Sequence, residues 1–171
     1  MEGKVLVAYG SKYGATEGIA RKIGEVLQQE GFQTDILSAK NAKYVSGYKA
    51  VIIGSAAYMF QWRKEVTDLL KKNETELAAK PVWLFTSGPL GEESAEKQME
   101  GKIVPSALQP VVDVIKPRSI MVFHGAVDMD KLNFFEKFIF QRVKSPVGDF
   151  RKWDVITAWA KNIAGELKKM G

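Results

Sequence analysis

The chain has no cysteine and one histidine, His124. Without thiols there is no disulfide, no cysteine-ligated iron–sulfur cluster and no thiol nucleophile. A single imidazole argues against a histidine-rich zinc site and against a Ser-His-Asp triad, so no metal is expected and no side chain stands out as a catalyst. No run of eighteen apolar residues occurs, which predicts no membrane-spanning helix. The first residues pass at once into a strand pattern, so no secretory leader is expected and a cytoplasmic location is the default. Two nucleotide signatures are also missing, the Gly-Lys-Ser/Thr of a P-loop and the G-x-G-x-x-G of a dinucleotide site. Acidic residues are the minority, 20 against 25 Lys and Arg, for a net charge of +5. Pairs such as Lys71-Lys72 and Lys168-Lys169 read as solvated helix faces, and the excess also suits an anionic partner or a phospholipid surface. No nucleic-acid partner is expected, and an oligomer is left open.

The stretch that organises the rest is Lys4 to Arg21, KVLVAYGSKYGATEGIAR. Val5 to Ala8 is short, apolar and β-branched, as a central parallel strand requires. Ile19, Ile23, Val26 and Leu27 recur at helical spacing, so a helix opening near Thr16 has one face for that strand. Between them lie Ser11, Lys12, Tyr13, Gly14, Ala15 and Thr16. A strand feeding a helix leaves the first N–H groups of the helix pointing into the loop. Together with the Ser11 and Thr16 hydroxyls they suit a single phosphate monoester, and Gly14 lets the backbone come close.

The pattern repeats. Phe32 to Leu37 follows Gly31 as a second strand, one helical turn is expected at Asn41 to Tyr44, and Ala50 to Gly54 is a third strand. That strand runs into Ser55, Ala56, Ala57, Tyr58, Met59, Phe60, Gln61 and Trp62 before an amphipathic helix with Val66, Leu69 and Leu70. Pro81 to Thr86 is a fourth strand, ending in Ser87, Gly88, Pro89, Leu90 and Gly91. Glu92 to Glu100 is charged surface, Pro105 to Ile115 a helix, and Ser119 to Val127 a fifth strand containing His124. Strands alternating with helices predict an α/β fold with a doubly wound, five-stranded parallel sheet. With 171 residues, 46% of them hydrophobic, residues 1–171 suit a single domain. Ligands of such sheets sit at the carboxyl ends of the strands. There, Ser55, Ala56 and Ala57 would let a flat ring approach the backbone, with Tyr58 first and Trp62 second as the stacking aromatic.

Ser11-x-Tyr13-Gly14-Ala15-Thr16 resembles the phosphate loop of flavodoxins, commonly T/S-x-T-G-x-T, with Tyr13 where the family has Thr or Ser. The loops at Ser55 to Met59 with Trp62, and at Thr86, Ser87, Gly88 and Pro89, resemble the family's two flavin-ring loops. The resemblance implies strand order 2-1-3-4-5 and FMN as cofactor. It also implies that these three loops are cofactor-binding. The loops hold no carboxylate between Gly10 and Thr16 or between Gly54 and Arg63. A carboxylate about 5 Å from an anionic reduced flavin would cost roughly 3 kcal/mol at an effective dielectric near 20, so a flavin easier to reduce than in acidic flavodoxins is expected.

After the fifth strand the chain inserts Asp128 to Asp149, DMDKLNFFEKFIFQRVKSPVGD, before a terminal helix marked by Trp153, Ile156, Trp159, Ile163 and Leu167. If Leu132 to Lys144 is helical, Leu132, Phe134, Phe135, Phe138, Ile139 and Val143 cover about half its circumference, with Lys137, Gln141 and Lys144 opposite. This insert, together with Gly148 to Trp153, resembles the menaquinone-dependent protoporphyrinogen dehydrogenase type of flavodoxin-domain protein. That resemblance implies an oxidoreductase passing electrons from an organic substrate, protoporphyrinogen in that family, to a quinone. It further implies peripheral contact with the inner face of the cell membrane through residues 131–144. A soluble electron-transfer flavodoxin without its own substrate, and a non-redox regulatory module, are the alternatives.

Overall fold

The computed structural model describes residues 3–171. Its main sheet contains β1 (Lys4–Gly10), β2 (Thr34–Ser38), β3 (Tyr48–Tyr58), β4 (Gln61–Trp62), β5 (Val82–Ser87) and β6 (Ser119–Phe123). Five of these run parallel in the order β2-β1-β3-β5-β6, and β4 folds back antiparallel on the end of β3. Apart from that short return strand, the order is the expected 2-1-3-4-5.

Alternation along β1 explains why helices cover both faces. Val5 and Val7 point into a cluster with α1 (Ala15–Gln29) and the terminal helix, while Leu6 and Ala8 point into one with α2 (Lys64–Lys72), α3 (Glu74–Ala78) and the helix before β6. All four of these β1 side chains are fully buried. Side chains of successive strand residues face opposite ways, so a strand buried on both sides must be apolar throughout. The remaining helices are α4 (Ala95–Gln98), α5 (Gln109–Ile115), α6 (Phe134–Arg142) and α7 (Trp153–Lys169). Under α7, Phe85, Phe123 and Trp159 meet in tilted and edge-on contacts with centroids 5.5 to 6.1 Å apart.

Three expectations change. The turn expected at Asn41 to Tyr44 is not helical; Asn41 and Ala42 N–H both donate to Ser38 O, which closes a turn instead. The third strand is longer than its apolar run, because residues 55–58 go on to pair with β5 and β4. The fifth strand breaks at His124 and Gly125, and Ala126–Val127 forms a separate strand, β7. The break follows from a close approach: a Cβ on Gly125 would stand 3.2 Å from Gly88 Cα, and Gly125 N–H donates to Pro89 O at 2.9 Å. His124 is buried in that bend with Nε2 2.8 Å from Glu93 O. β7 pairs antiparallel with β8 (Gly148–Asp149), so the inserted segment leaves and re-enters the fold through one zipped neck.

Candidate functional site

The loop between β1 and α1 is held open by its own bonds. Gly14 takes φ +94°, and its N–H donates to Ser11 Oγ at 3.0 Å, curling the loop ahead of the helix. The N–H groups of Ala15, Thr16 and Glu17 then have no acceptor among the described residues. Thr16 is 1% exposed, lines a cavity, and its hydroxyl likewise has no partner among the described residues. Unpaired donors at a helix start, joined by a hydroxyl lining the same space, are the chemistry of a phosphate cradle.

That cavity, about 210 Å³, lies at the carboxyl ends of the strands. Ser11, Lys12, Tyr13, Ala15 and Thr16 form one wall, and Ala56, Ala57 and Tyr58 another. Ser87 and Gly88 close a third side. A Cβ on Gly88 would meet Ala57 O at 2.8 Å, so only glycine lets the two ring loops stand this close. A more open chamber of about 550 Å³ continues past Tyr13, Gly14 and Ala15 toward Lys131, Asp149 and Arg151. A flat ring laid over Ala56–Tyr58 and Gly88, with its phosphate toward Thr16, suits these walls.

Several expected residues stand elsewhere. Trp62 is buried behind the cavity, its indole N–H donating to Thr86 Oγ1 at 2.9 Å, and Thr86 in turn donates to Ile103 O at 2.6 Å. Ser55 is fully buried and accepts from Arg63 N–H at 2.9 Å. Pro89 lies outside the lining and serves Gly125 through its carbonyl. Met59 points to solvent at 79% exposure, at the tip of the β3–β4 hairpin, where it and Phe60 both have positive φ. Tyr58, 58% exposed, stands at the mouth.

The insert supplies what the three loops alone did not reveal. Leu132, Glu136 and Phe140 roof the cavity. Glu136 and Phe140 are one turn apart and share the inner face of α6, whereas Phe134, Phe135 and Phe138 lie on the other face at 88%, 69% and 53% exposure. The even apolar stripe expected over residues 132–144 is therefore divided between two faces of a shorter helix. Glu136 pairs with Lys12, and the nearby Tyr13 side chain also favours its charged form. Lys12, then Tyr13 and the Asn133 N–H, hold its carboxyl down at about 2. So a carboxylate does face the cavity, brought by the insert and matched by Lys12. Its sequence signal was the capping box Asn133-x-x-Glu136, which marks a helix start and fixes the Glu at its third position. Arg151 was also missed: it grips Asp149 with two bonds of 2.7 and 2.9 Å, donates to Ala15 O at 3.2 Å, and lies over the Trp153 ring. It lowers the Asp149 pKa and ties the return limb of the insert to α1.

Among the described residues no helix is long and apolar enough to cross a membrane, and no group of acidic or histidine side chains could hold a metal ion. A family model for the flavodoxin domain matches residues 6–153. Among solved structures, rubredoxin oxygen:oxidoreductase from Desulfovibrio gigas aligns over 97% of this chain and 36% of its own, with TM-score 0.63 and 19% identity. Oxidised Flavodoxin 2 from Bacillus cereus aligns over 96% of this chain and 99% of its own, with TM-score 0.60 and 19% identity. A Streptococcus pneumoniae flavodoxin gives 95% and 98%, TM-score 0.60 and 14% identity. The chain thus spans about a third of the first protein and nearly all of the other two, and at these identities the likeness is one of fold.

Proposed function

The chain belongs to the flavodoxin domain family, whose cofactor is FMN, and we propose that it is an FMN oxidoreductase passing electrons from an apolar organic substrate to a quinone at a membrane surface. One observation carries this reading, the division of α6 into a cavity face and an exposed aromatic face. A helix that only packed on its own domain would bury its phenylalanines. Here Phe134, Phe135 and Phe138 stay outside, flanked by Lys137, Arg142 and Lys144. Aromatic side chains among basic ones suit an interface of acyl chains and anionic headgroups. Protoporphyrinogen, oxidised by the enzymes that the sequence resembles, is a donor of the required apolar character.

FMN, when bound, supplies the electron chemistry. The chain's own groups would hold and enclose it. The Ala15 to Glu17 N–H groups and the Thr16 hydroxyl take the phosphate, Ala56, Ala57 and Gly88 admit the ring, Tyr58 covers its outer side, and Leu132 and Phe140 keep water from the roof.

Two measurements test the proposal. Anaerobic reductive titration of the FMN-loaded protein, followed by absorbance, is expected to proceed in one two-electron stage. The full chain should sediment with vesicles containing anionic lipid, and the combined substitution Phe134→Ser, Phe135→Ser, Phe138→Ser should abolish this without releasing FMN. Two well-separated one-electron stages together with no vesicle binding would favour instead an electron carrier that docks through the exposed Tyr58 and Met59 at the cavity mouth.

A further inference from the structure

The first turn of α6 is fastened to the phosphate loop through one side chain. Glu136 pairs with Lys12 Nζ, while its second oxygen accepts the Asn133 N–H at 3.0 Å. Asn133 Oδ1 returns a bond from the Glu136 N–H at 2.8 Å. The carboxylate is thus placed by the first turn of α6 and is only 12% exposed. Among the described residues it is the one carboxylate lining the smaller cavity.

Little else holds α6 down. Of the apolar side chains between residues 128 and 147, Leu132 alone is buried. Lys131 Nζ reaches Tyr13 O only at 3.5 Å.

We propose that Glu136 is a positioning residue of the cofactor site, fixing Lys12 of the phosphate loop from the insert, so that retention of FMN depends on α6 staying docked. The proposal rests on the reading of this cavity as the FMN site. With Glu136 in place, Lys12 is held beside the loop and Phe140 is held over the ring space. With the pair broken, α6 is left with a solvent-facing aromatic surface and only Leu132, just ahead of it, buried, and it swings about its β7–β8 neck.

The test uses the full-length, flavin-loaded protein and follows flavin fluorescence after dilution, for FMN and for riboflavin, together with hydrogen exchange in residues 134–142. Glu136→Ala is expected to speed FMN release about tenfold, the scale at which loss of a charge-assisted hydrogen bond is felt. Riboflavin release should change less, because it has no phosphate for the loop to hold. Exchange should rise in 134–142 and stay unchanged in β1 and β3. Exchanging the pair, Lys12→Glu with Glu136→Lys, should restore slow release that neither reversal alone allows. If Glu136→Ala fails to fold, Glu136→Gln gives the same comparison with the shape kept. FMN release within about twofold of wild type, equal acceleration of FMN and riboflavin, or no recovery in the exchanged pair overturns the proposal. A wild-type protein that never retains FMN overturns the underlying reading as well, and is told apart by that control alone.

Discussion

Thr16 carries the phosphate assignment further than any other side chain, because it is both buried and without a partner among the described residues. Thr16→Val keeps the shape and removes the donor. FMN affinity, measured by fluorescence titration, should fall by about 1.5–3 kcal/mol, the worth of a hydrogen bond to a charged group, while riboflavin affinity holds. Trp62 makes the opposite case. Its N–H serves Thr86 inside the protein, so Trp62→Phe should lower unfolding free energy by about 1 kcal/mol and leave the bound-flavin spectrum as it was. A Tyr58→Leu change should alter that spectrum with little effect on stability. The sequence ranks Tyr58 ahead of Trp62 but does not show that a hairpin places them on its two arms, since Met59-Phe60 carries none of the Asn-Gly chemistry that announces such a turn.

At the scale of elements, the strands were readable because a parallel strand buried on both sides has no polar alternative, and β1, β3 and β5 each show an unbroken apolar run. Their ends were less readable. β3 continues through Ser55 and Ala56, which are small and polar or neutral, because cross-strand pairing to β5 carries it on. The same pairing sets Gly54 opposite Phe85, and the Phe85 ring lies across the space a side chain would take: a Cβ on Gly54 would be 1.9 Å from Phe85 Cζ. Phe85 cannot retreat easily, since Phe123 and Trp159 pack against it. Gly54→Ala is therefore expected to cost about 1–3 kcal/mol by overpacking, measured by denaturant unfolding. α6 was legible as a helix but not as a two-sided one. Which phenylalanines face in depends on where Glu136 is pinned, and that pin is a contact with residues more than a hundred positions earlier.

For the whole molecule, the sheet order places the three loops at one end, and the insert is grafted on that same end through the β7–β8 neck. This division of labour has a pH signature. The Glu136 pKa is lowered from its ordinary 4.5 to about 2, so its docking contribution is complete above pH 4.5 and is lost as pH falls through about 2. Pepsin cleavage within residues 134–142 should accordingly rise across that window, and Glu136→Gln should be cleaved readily at its upper end already. The neck also permits a sharper separation of insert from fold. Val127 and Gly148 pair directly, so residues 128–147 can be replaced by Asn-Gly, the two-residue turn that suits an antiparallel pair. The sheet and both its helical layers keep their core, because Leu132 is the only buried apolar residue removed, and burying one such side chain is worth about 1.5–3 kcal/mol. The shortened protein should fold and still take up FMN through Thr16, yet release it faster than the full chain and no longer sediment with anionic vesicles. Unaltered vesicle binding would move the membrane contact off α6 and onto the basic faces of the sheet's own helices.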